Sequence, residues 1–200
     1  MRALTLRRRV LLGAPLALAG CSALSRPAYV EQVEWPLTLR RPVALPPRPG
    51  GRVLVVRGLE PAPGLERRGV QWLRPDGSLH VDFYNQWAVS PAEGVTDDLR
   101  RWLAESGLFA AVVGSDAGVA GDFVLSGELT AFLGARGRAR VALALVLVRT
   151  QPARVVLQRT LAGEAPFATA AAADVVRALL AALRMVLGQA ESALAAEQAA

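Results

Sequence analysis

Residues 123–161, FVLSGELTAFLGARGRARVALALVLVRTQPARVVLQRTL, decide the fold. Three apolar runs stand there, Phe123 to Leu133, Arg138 to Arg149 and Arg154 to Leu161, divided by Gly-Ala-Arg-Gly and Thr-Gln-Pro connections. Runs of this length rich in Val, Leu and Phe and bounded by turn residues read as consecutive strands, and their order predicts a meander. The middle run is apolar throughout from Val141 to Val148. A period of two puts Val141, Leu143, Leu145 and Leu147 on one face and Ala142, Ala144, Val146 and Val148 on the other. Such a strand is expected to be covered on both sides, by helices or by another subunit.

Upstream, Val70 to Arg74 and Leu79 to Tyr84 flank Pro75-Asp76-Gly77-Ser78, where Asp-Gly supplies the positive φ of a tight turn, so a hairpin is predicted. Its second arm sets Leu79, Val81 and Phe83 on one face and His80, Asp82 and Tyr84 on the other. Ser90-Pro91-Ala92-Glu93 has the form of a capping box with Pro at the first helical position. The helix it opens is predicted to run to Ser106, with Gly107 just past its end and Val95, Leu99, Trp102 and Leu103 as its apolar stripe. Val53 to Val56 suits a short buried strand. Downstream, Thr169 to Ala195 carries Val176, Leu179, Leu180, Leu183 and Leu187 at helical spacing. Arg177 and Arg184 argue against a membrane span, so this segment reads as one long helix packed on the sheet, its end after Gly188 frayed or used in assembly. The expected class is α/β of the α+β kind: a mostly antiparallel sheet flanked by helices, with a long C-terminal helix, in a single domain over residues 52–200.

The N-terminus predicts a compartment. Arg2, Arg7, Arg8 and Arg9 precede the apolar stretch Val10 to Ala19, which has the length of a signal-peptide core and is too short to span a bilayer. Leu18-Ala19-Gly20-Cys21 follows and reads as a lipobox, with cleavage before Cys21 and a diacylglycerol on its sulfur. The Arg-Arg-Arg cluster leaves Sec and twin-arginine export both open. Ser22, in place of an Asp there, favours sorting to the periplasmic side of the outer membrane over retention at the inner one. Residues 22–51 are rich in Pro and Arg, including Pro46-Pro47-Arg48-Pro49, and with Cys21 read as an anchored tether; part of it, Tyr29 to Leu39, is a candidate edge strand.

Composition closes off much chemistry. All 23 basic residues are Arg, and there is one His and one Cys, so a P-loop lysine, a Schiff base and Cys/His metal sites are ruled out on this inventory. No metal and no cofactor is expected. Beyond residue 20, nineteen Arg face the 17 acids, a formal +2, with Arg136, Arg138 and Arg140 as the only basic run. That run reads as a turn and strand start, and no nucleic-acid partner is expected. His80 beside Asp82 could pass for half a catalytic pair, but residues two apart share a face in any strand and no nucleophile motif is present, so no enzyme is predicted. Asp97 and Asp98 near a helix start, with Arg100 and Arg101 further along, follow the helix dipole. Gly114-Ser115-Asp116-Ala117-Gly118 lacks the spacing of a phosphate cradle and reads as a surface turn. Phe83 to Trp87 is the stretch most suited to lining an apolar groove, with core packing as the plainer reading and Trp87 as part of a hydrophobic staple before the helix.

Several features in order resemble the auxiliary lipoproteins of ABC-type intermembrane lipid transport systems, a family that includes the paraquat-inducible lipoprotein. They are the Leu18 to Cys21 lipobox, the Val53 to Val56 strand, Trp72-Leu73-Arg74, Tyr84-x-x-Trp87-Ala88-x-x-Pro91, Leu99-x-x-x-Leu103-x-x-Ser106-Gly107-Leu108-Phe109, Asp122-x-x-Leu125-x-Gly127-x-Leu129-x-x-Phe132 and the strand Ala139 to Val148. The resemblance implies a non-catalytic α/β domain anchored by lipid to the outer membrane. Its implied partners are an MCE-domain subunit with its permease and ATPase, with phospholipid as cargo and a homo-oligomer as a further expectation. Tyr84, Trp87 and Trp102 stand as family markers or groove residues. The alternatives are a secreted hydrolase using His80 and an independent lipid-carrying or envelope-assembly lipoprotein without an ABC partner.

Overall fold

The three predicted strands form a meander in the computed structural model of the chain: β7 (Phe123–Ala135), β8 (Arg138–Arg149) and β9 (Arg154–Pro166), each antiparallel to the next. β7 and β8 run closer together than the sequence suggested. Their loop is the two residues Arg136 and Gly137, at φ 49° and 76°, the paired positive values of a type I′ turn. β9 also continues past Leu161 through Ala162-Gly163-Glu164-Ala165-Pro166. That segment has weak strand propensity and is held by its pairing to Arg138–Ala142. The described residues are 29–199, and the compact unit they build begins at Glu31.

The free edge of β7 gathers the rest of the sheet in three parallel sections. β2 (Val53–Val56) pairs with Phe123–Leu125, β3 (Glu60–Pro61) with Glu128–Leu129, and β4 (Gly69–Leu73) with Gly134–Ala135. Beyond β4 lies β5 (Leu79–Trp87), its antiparallel hairpin partner, and then β1 (Val33–Trp35), which runs parallel to β5 at the edge as the Tyr29 to Leu39 reading allowed. Beyond β2 lies β6 (Ala111–Gly114), also parallel. The sheet is therefore mixed, its longest ladders antiparallel and its short additions mostly parallel. At the β4–β5 tip, Gly77 takes φ 84° while the Asp76 carboxylate accepts from the Ser78 N–H, as the turn residues predict.

α1 (Pro91–Ala104) starts at Ser90, whose hydroxyl accepts the Glu93 N–H, and buries the predicted stripe Val95, Leu99, Trp102 and Leu103. It ends two residues early, at the cap Glu105. Ser106 there donates its hydroxyl to the Leu103 carbonyl and accepts from the Leu108 N–H, a local bonding pattern that competes with another helical turn. The residue preceding the cap is Val89, which lies over Gly94, so the staple position falls to Val89 and not to Trp87. α2 (Ala172–Ala199) is long and apolar enough to cross a membrane by length and composition, but Val175, Leu179, Leu183, Val186 and Leu187 are buried in the same core as α1 and the inner sheet face. Its end does not fray after Gly188: Ala190 and Leu194 are fully buried, and the Glu191 carboxylate accepts from the Trp102 indole at 2.7 Å and from Nε and Nη2 of Arg41 at 3.0 and 3.1 Å.

The Pro-rich stretch departs most from expectation. From Glu31 it is part of the domain, and Leu37 and Leu39 sit in the core. Asp98, wholly buried on α1, accepts the Leu39 N–H at 2.9 Å, while Arg101 bonds Asp98 at 2.7 Å and the Leu39 carbonyl at 3.4 Å. The Leu45 N–H then bonds Glu105 O, and the Arg48 N–H bonds Phe109 O. Proline forbids a helix here but not a strap, and two leucines two residues apart supply its buried side.

Burial raises the Asp98 carboxyl from 3.8 to about 6, against the lowering effects of the Leu39 N–H and Arg101. Between those values the folded chain keeps a proton that the unfolded chain releases. This group's contribution to stability is therefore full below the unfolded value and is lost as pH rises through the folded one. Urea unfolding across that window should show Asp98→Asn removing the decline, and a wild-type-minus-variant difference independent of pH would contradict it. Leu183→Ala, at the centre of the α2 stripe, should lower unfolding stability by about 2–5 kcal/mol in the same assay.

Candidate functional site

The lipobox residues Leu18, Ala19, Gly20 and Cys21 lie outside the described residues. The three aromatic candidates do not meet in a groove. Trp87 is buried edge-on against Phe132 at 5.3 Å, Trp102 is buried beneath Glu191, and Tyr84 is turned outward against the largely exposed Phe83. A break in the β4–β5 register leaves Asp82 to Asn85 without matched partners on β4 and turns Phe83 and Tyr84 outward together, whereas Trp87 stands in regular pairing beside Trp35 and faces the core. Trp87 and Trp102 are thus packing residues. Leu73 and Leu79 are exposed beside the β4–β5 turn, and Phe83 and Tyr84 are exposed further along β5, where its pairing with β4 is irregular.

His80 and Asp82 do not act on each other. The His80 ring lies on Trp72 with centroids 4.1 Å apart and its Nδ1 bonds Arg74 at 2.7 Å, whereas the Asp82 carboxylate accepts from Tyr84, Asn85 and the Asn85 side chain. Asp97 and Asp98 are occupied by Arg100 and Arg101 respectively. The Gly114 to Gly118 segment is a short 3-10 turn closed by Gly118 at φ 64°. In the basic run, Arg136 is the hairpin turn and Arg138 pairs with Glu164 at 2.9 Å.

The surfaces suited to a partner lie on the other side of the sheet. Both helices pack on the inner face, where Val141, Leu143, Leu145 and Leu147 are buried. The opposite face of β8 is only half covered, which corrects the expectation of burial on both sides. Cross-strand register sets Val124, Val148 and Val155 in one row and Ser126, Val146 and Gln158 in the next. Their short side chains shield one another partly, leaving a shallow, weakly polar face. Among the described residues β9 pairs only with β8, so its outer edge presents unpaired backbone groups, with Val155 exposed upon it.

A further feature was invisible in the sequence because its residues come from separate strands. Along β2, where β7 begins and β8 ends, an open cavity of about 610 Å³ is bordered by Arg52, Arg57 and Arg149. Only a fold that brings residues 52–57 beside 149 can create it.

The crystal structure of protein XCC0632 from Xanthomonas campestris, a DUF330 protein, is 23% identical and superposes with a TM-score of 0.63, covering 80% of this chain and 99% of that one. A second crystal structure, of an uncharacterised protein, is 19% identical with a TM-score of 0.61, covering 77% and 95%. These two share the fold. The PelC dodecamer of Paraburkholderia phytofirmans, at 15% identity, a TM-score of 0.42 and 73% and 90% coverage, is too distant to bear on assembly. A comparison with curated proteins finds no relative. The sequence matches the ABC-type transport auxiliary lipoprotein component over residues 37–190, from the leucine strap to the last turns of α2, and the chain belongs to that family.

Proposed function

We propose that this protein is a lipid-anchored, non-catalytic subunit of an ABC-type system that moves phospholipid between membranes, and that it docks an MCE-domain partner at the outer membrane. The family match over residues 37–190 carries the reading. Moving phospholipid through an aqueous compartment requires a continuous apolar path, because each buried CH₂ contributes about 0.8 kcal/mol and an acyl chain holds many. A rigid domain fixed to the membrane holds one end of such a path in place.

In this reading Cys21 is the acylated residue, following cleavage at Leu18-Ala19-Gly20. The compact unit begins at Glu31, so at most nine residues, 22–30, separate it from Cys21. The domain then works close to the membrane surface. Its outer sheet face and β9 edge offer a shallow apolar surface and free backbone bonding groups, the combination by which an extended segment adds to a sheet. The permease and ATPase are reached through the MCE subunit, and copies of this chain assemble around the same path.

Cys21→Ser should move the protein from the membrane fraction to the soluble fraction, read by fractionation and immunoblot; an unchanged membrane fraction would dismiss the anchor. A photo-cross-linking residue at Val146 or Val155 should capture the MCE subunit in the native envelope, while one at Met185, exposed on α2, should not. Capture of phospholipid alone from all three positions would favour the independent lipid-carrying lipoprotein instead.

A further inference from the structure

We infer that Phe83 and Tyr84 insert into the polar interface of the membrane that holds Cys21, which makes the β1–β5 edge of the sheet a lipid-contact surface. This deepens the proposed function and rests on its lipid anchor.

The route of the chain brings this edge to the membrane. Parallel pairing sets Val33 opposite Asn85, and one residue earlier the Gln32 side-chain amide donates to the Phe83 carbonyl at 3.1 Å. The chain therefore enters the compact unit, at Glu31, beside Phe83. Cys21 precedes Glu31 by ten residues, which reach about 35 Å at full extension. With Cys21 acylated, Phe83 is never farther from the bilayer than that stretch allows. A membrane contact at this edge is then intramolecular, and a small apolar area suffices because the tether keeps its effective concentration high.

The side chains suit that contact. Phe83 is 70% exposed, the most of any large apolar side chain among the described residues of the compact unit, and its ring meets that of Tyr84, 44% exposed, edge-on at 5.3 Å. Val33 is exposed on the adjoining strand. A phenyl ring in water forgoes the gain of burial. A tyrosine, apolar in its body and polar at its tip, belongs at headgroup level.

The kink that presents the two rings is fixed by hydrogen bonds. The Asp82 carboxylate accepts the Tyr84 N–H at 2.9 Å and the Asn85 N–H at 3.1 Å, and the Phe83 carbonyl accepts from the Gln86 side chain at 3.0 Å as well as from Gln32. Those bonds also select the occupant. A protein that adds a strand needs free backbone groups, which the β9 edge offers, whereas the Phe83 carbonyl and the Tyr84 N–H are already used. Backbone groups bonded in this way enter a lipid interface at far lower cost than bare ones. Glu34 on β1 is paired with Arg68 at 2.6 Å, so it demands no counter-charge from outside.

The sheet order then separates two tasks. β1 and β9 are opposite edges joined through β5, β4, β7 and β8. Five strand spacings of ~4.8 Å set them about 24 Å apart along the sheet. The membrane is met at one edge, and the edge proposed for the partner stands clear of it.

The test uses full-length lipidated protein in vesicles of phosphatidylethanolamine and phosphatidylglycerol that carry nitroxide on a fraction of their headgroups. Cys21 is the only cysteine, so with its lipid attached an introduced one is the sole free thiol for a fluorophore. A label at Val33→Cys should be blue-shifted and quenched, while labels at Val155→Cys on β9 and Met185→Cys on α2 should be neither. The tether alone brings Val33 near lipid, so the deciding variant adds Phe83→Ser and Tyr84→Ser to Val33→Cys. Its inserted-to-free ratio should fall by about tenfold or more, the scale of one buried phenyl ring, and Phe83→Trp alone should preserve it. Equal quenching at all three positions, or an unchanged ratio in the Phe83→Ser, Tyr84→Ser variant, would overturn the assignment. A blue shift without quenching that grows with the protein-to-lipid ratio would give the pair to a second copy of the chain and overturn it too. The mass of the Cys21 peptide separates the failures: an acylated chain without quenching at Val33 defeats this contact alone, and an unacylated chain defeats the anchor and the contact with it.

Discussion

The backbone of β7 must find a partner for every polar group along thirteen residues, and the rest of the architecture answers that demand. One edge is met by β8 in a single long ladder. The other is met piecemeal, by β2 near its start, β3 at its middle and β4 at its end. Each short strand brings its own neighbour, β6 beside β2 and β5 beside β4, so both wings of the sheet hang from one strand. The polar cavity follows from the same fact, because β2 and the end of β8 can only meet across the start of β7.

The second constraint is polar. The helices and the strap are bound together by two carboxylates that reach between elements: Asp98 holds the Leu39 peptide to α1, and Glu191 holds Trp102 of α1 and Arg41 of the strap to α2. Hydrophobic burial alone would leave the strap free to slide. These bonds set its register, and they explain why a proline-rich segment with only two buried leucines is a fixed part of the domain.

Legibility in the sequence tracked the range of the determining interaction. The meander, the α1 cap, the Asp-Gly turn and the α2 stripe depend on neighbouring residues and were readable from Phe123 to Leu161, Ser90 to Glu93, Asp76-Gly77 and Val176 to Leu187. β3 and β6 were not, since two and four residues become strands only because β7 and β2 lie alongside. The strap was misread because proline content reports backbone preference, not burial. Among the candidate site residues, spacing marked Tyr84, Trp87 and Trp102 as notable but could not say which way each would turn. Arg52, Arg57 and Arg149 carried no local signal at all, because nearly a hundred positions separate the first two from the third.

The piecemeal edge of β7 also fixes an order of events. β1 to β5 lie wholly before residue 88, yet β3 has no neighbour until residues 123–135 exist to receive it, and β2 and β4 gain their second neighbour only then. A chain emerging from its N-terminus cannot complete that half early, and loop closure must wait for the distant strand. The wings of the sheet therefore stay unfinished until residues 123–135 arrive, and they settle together once β7 is in place.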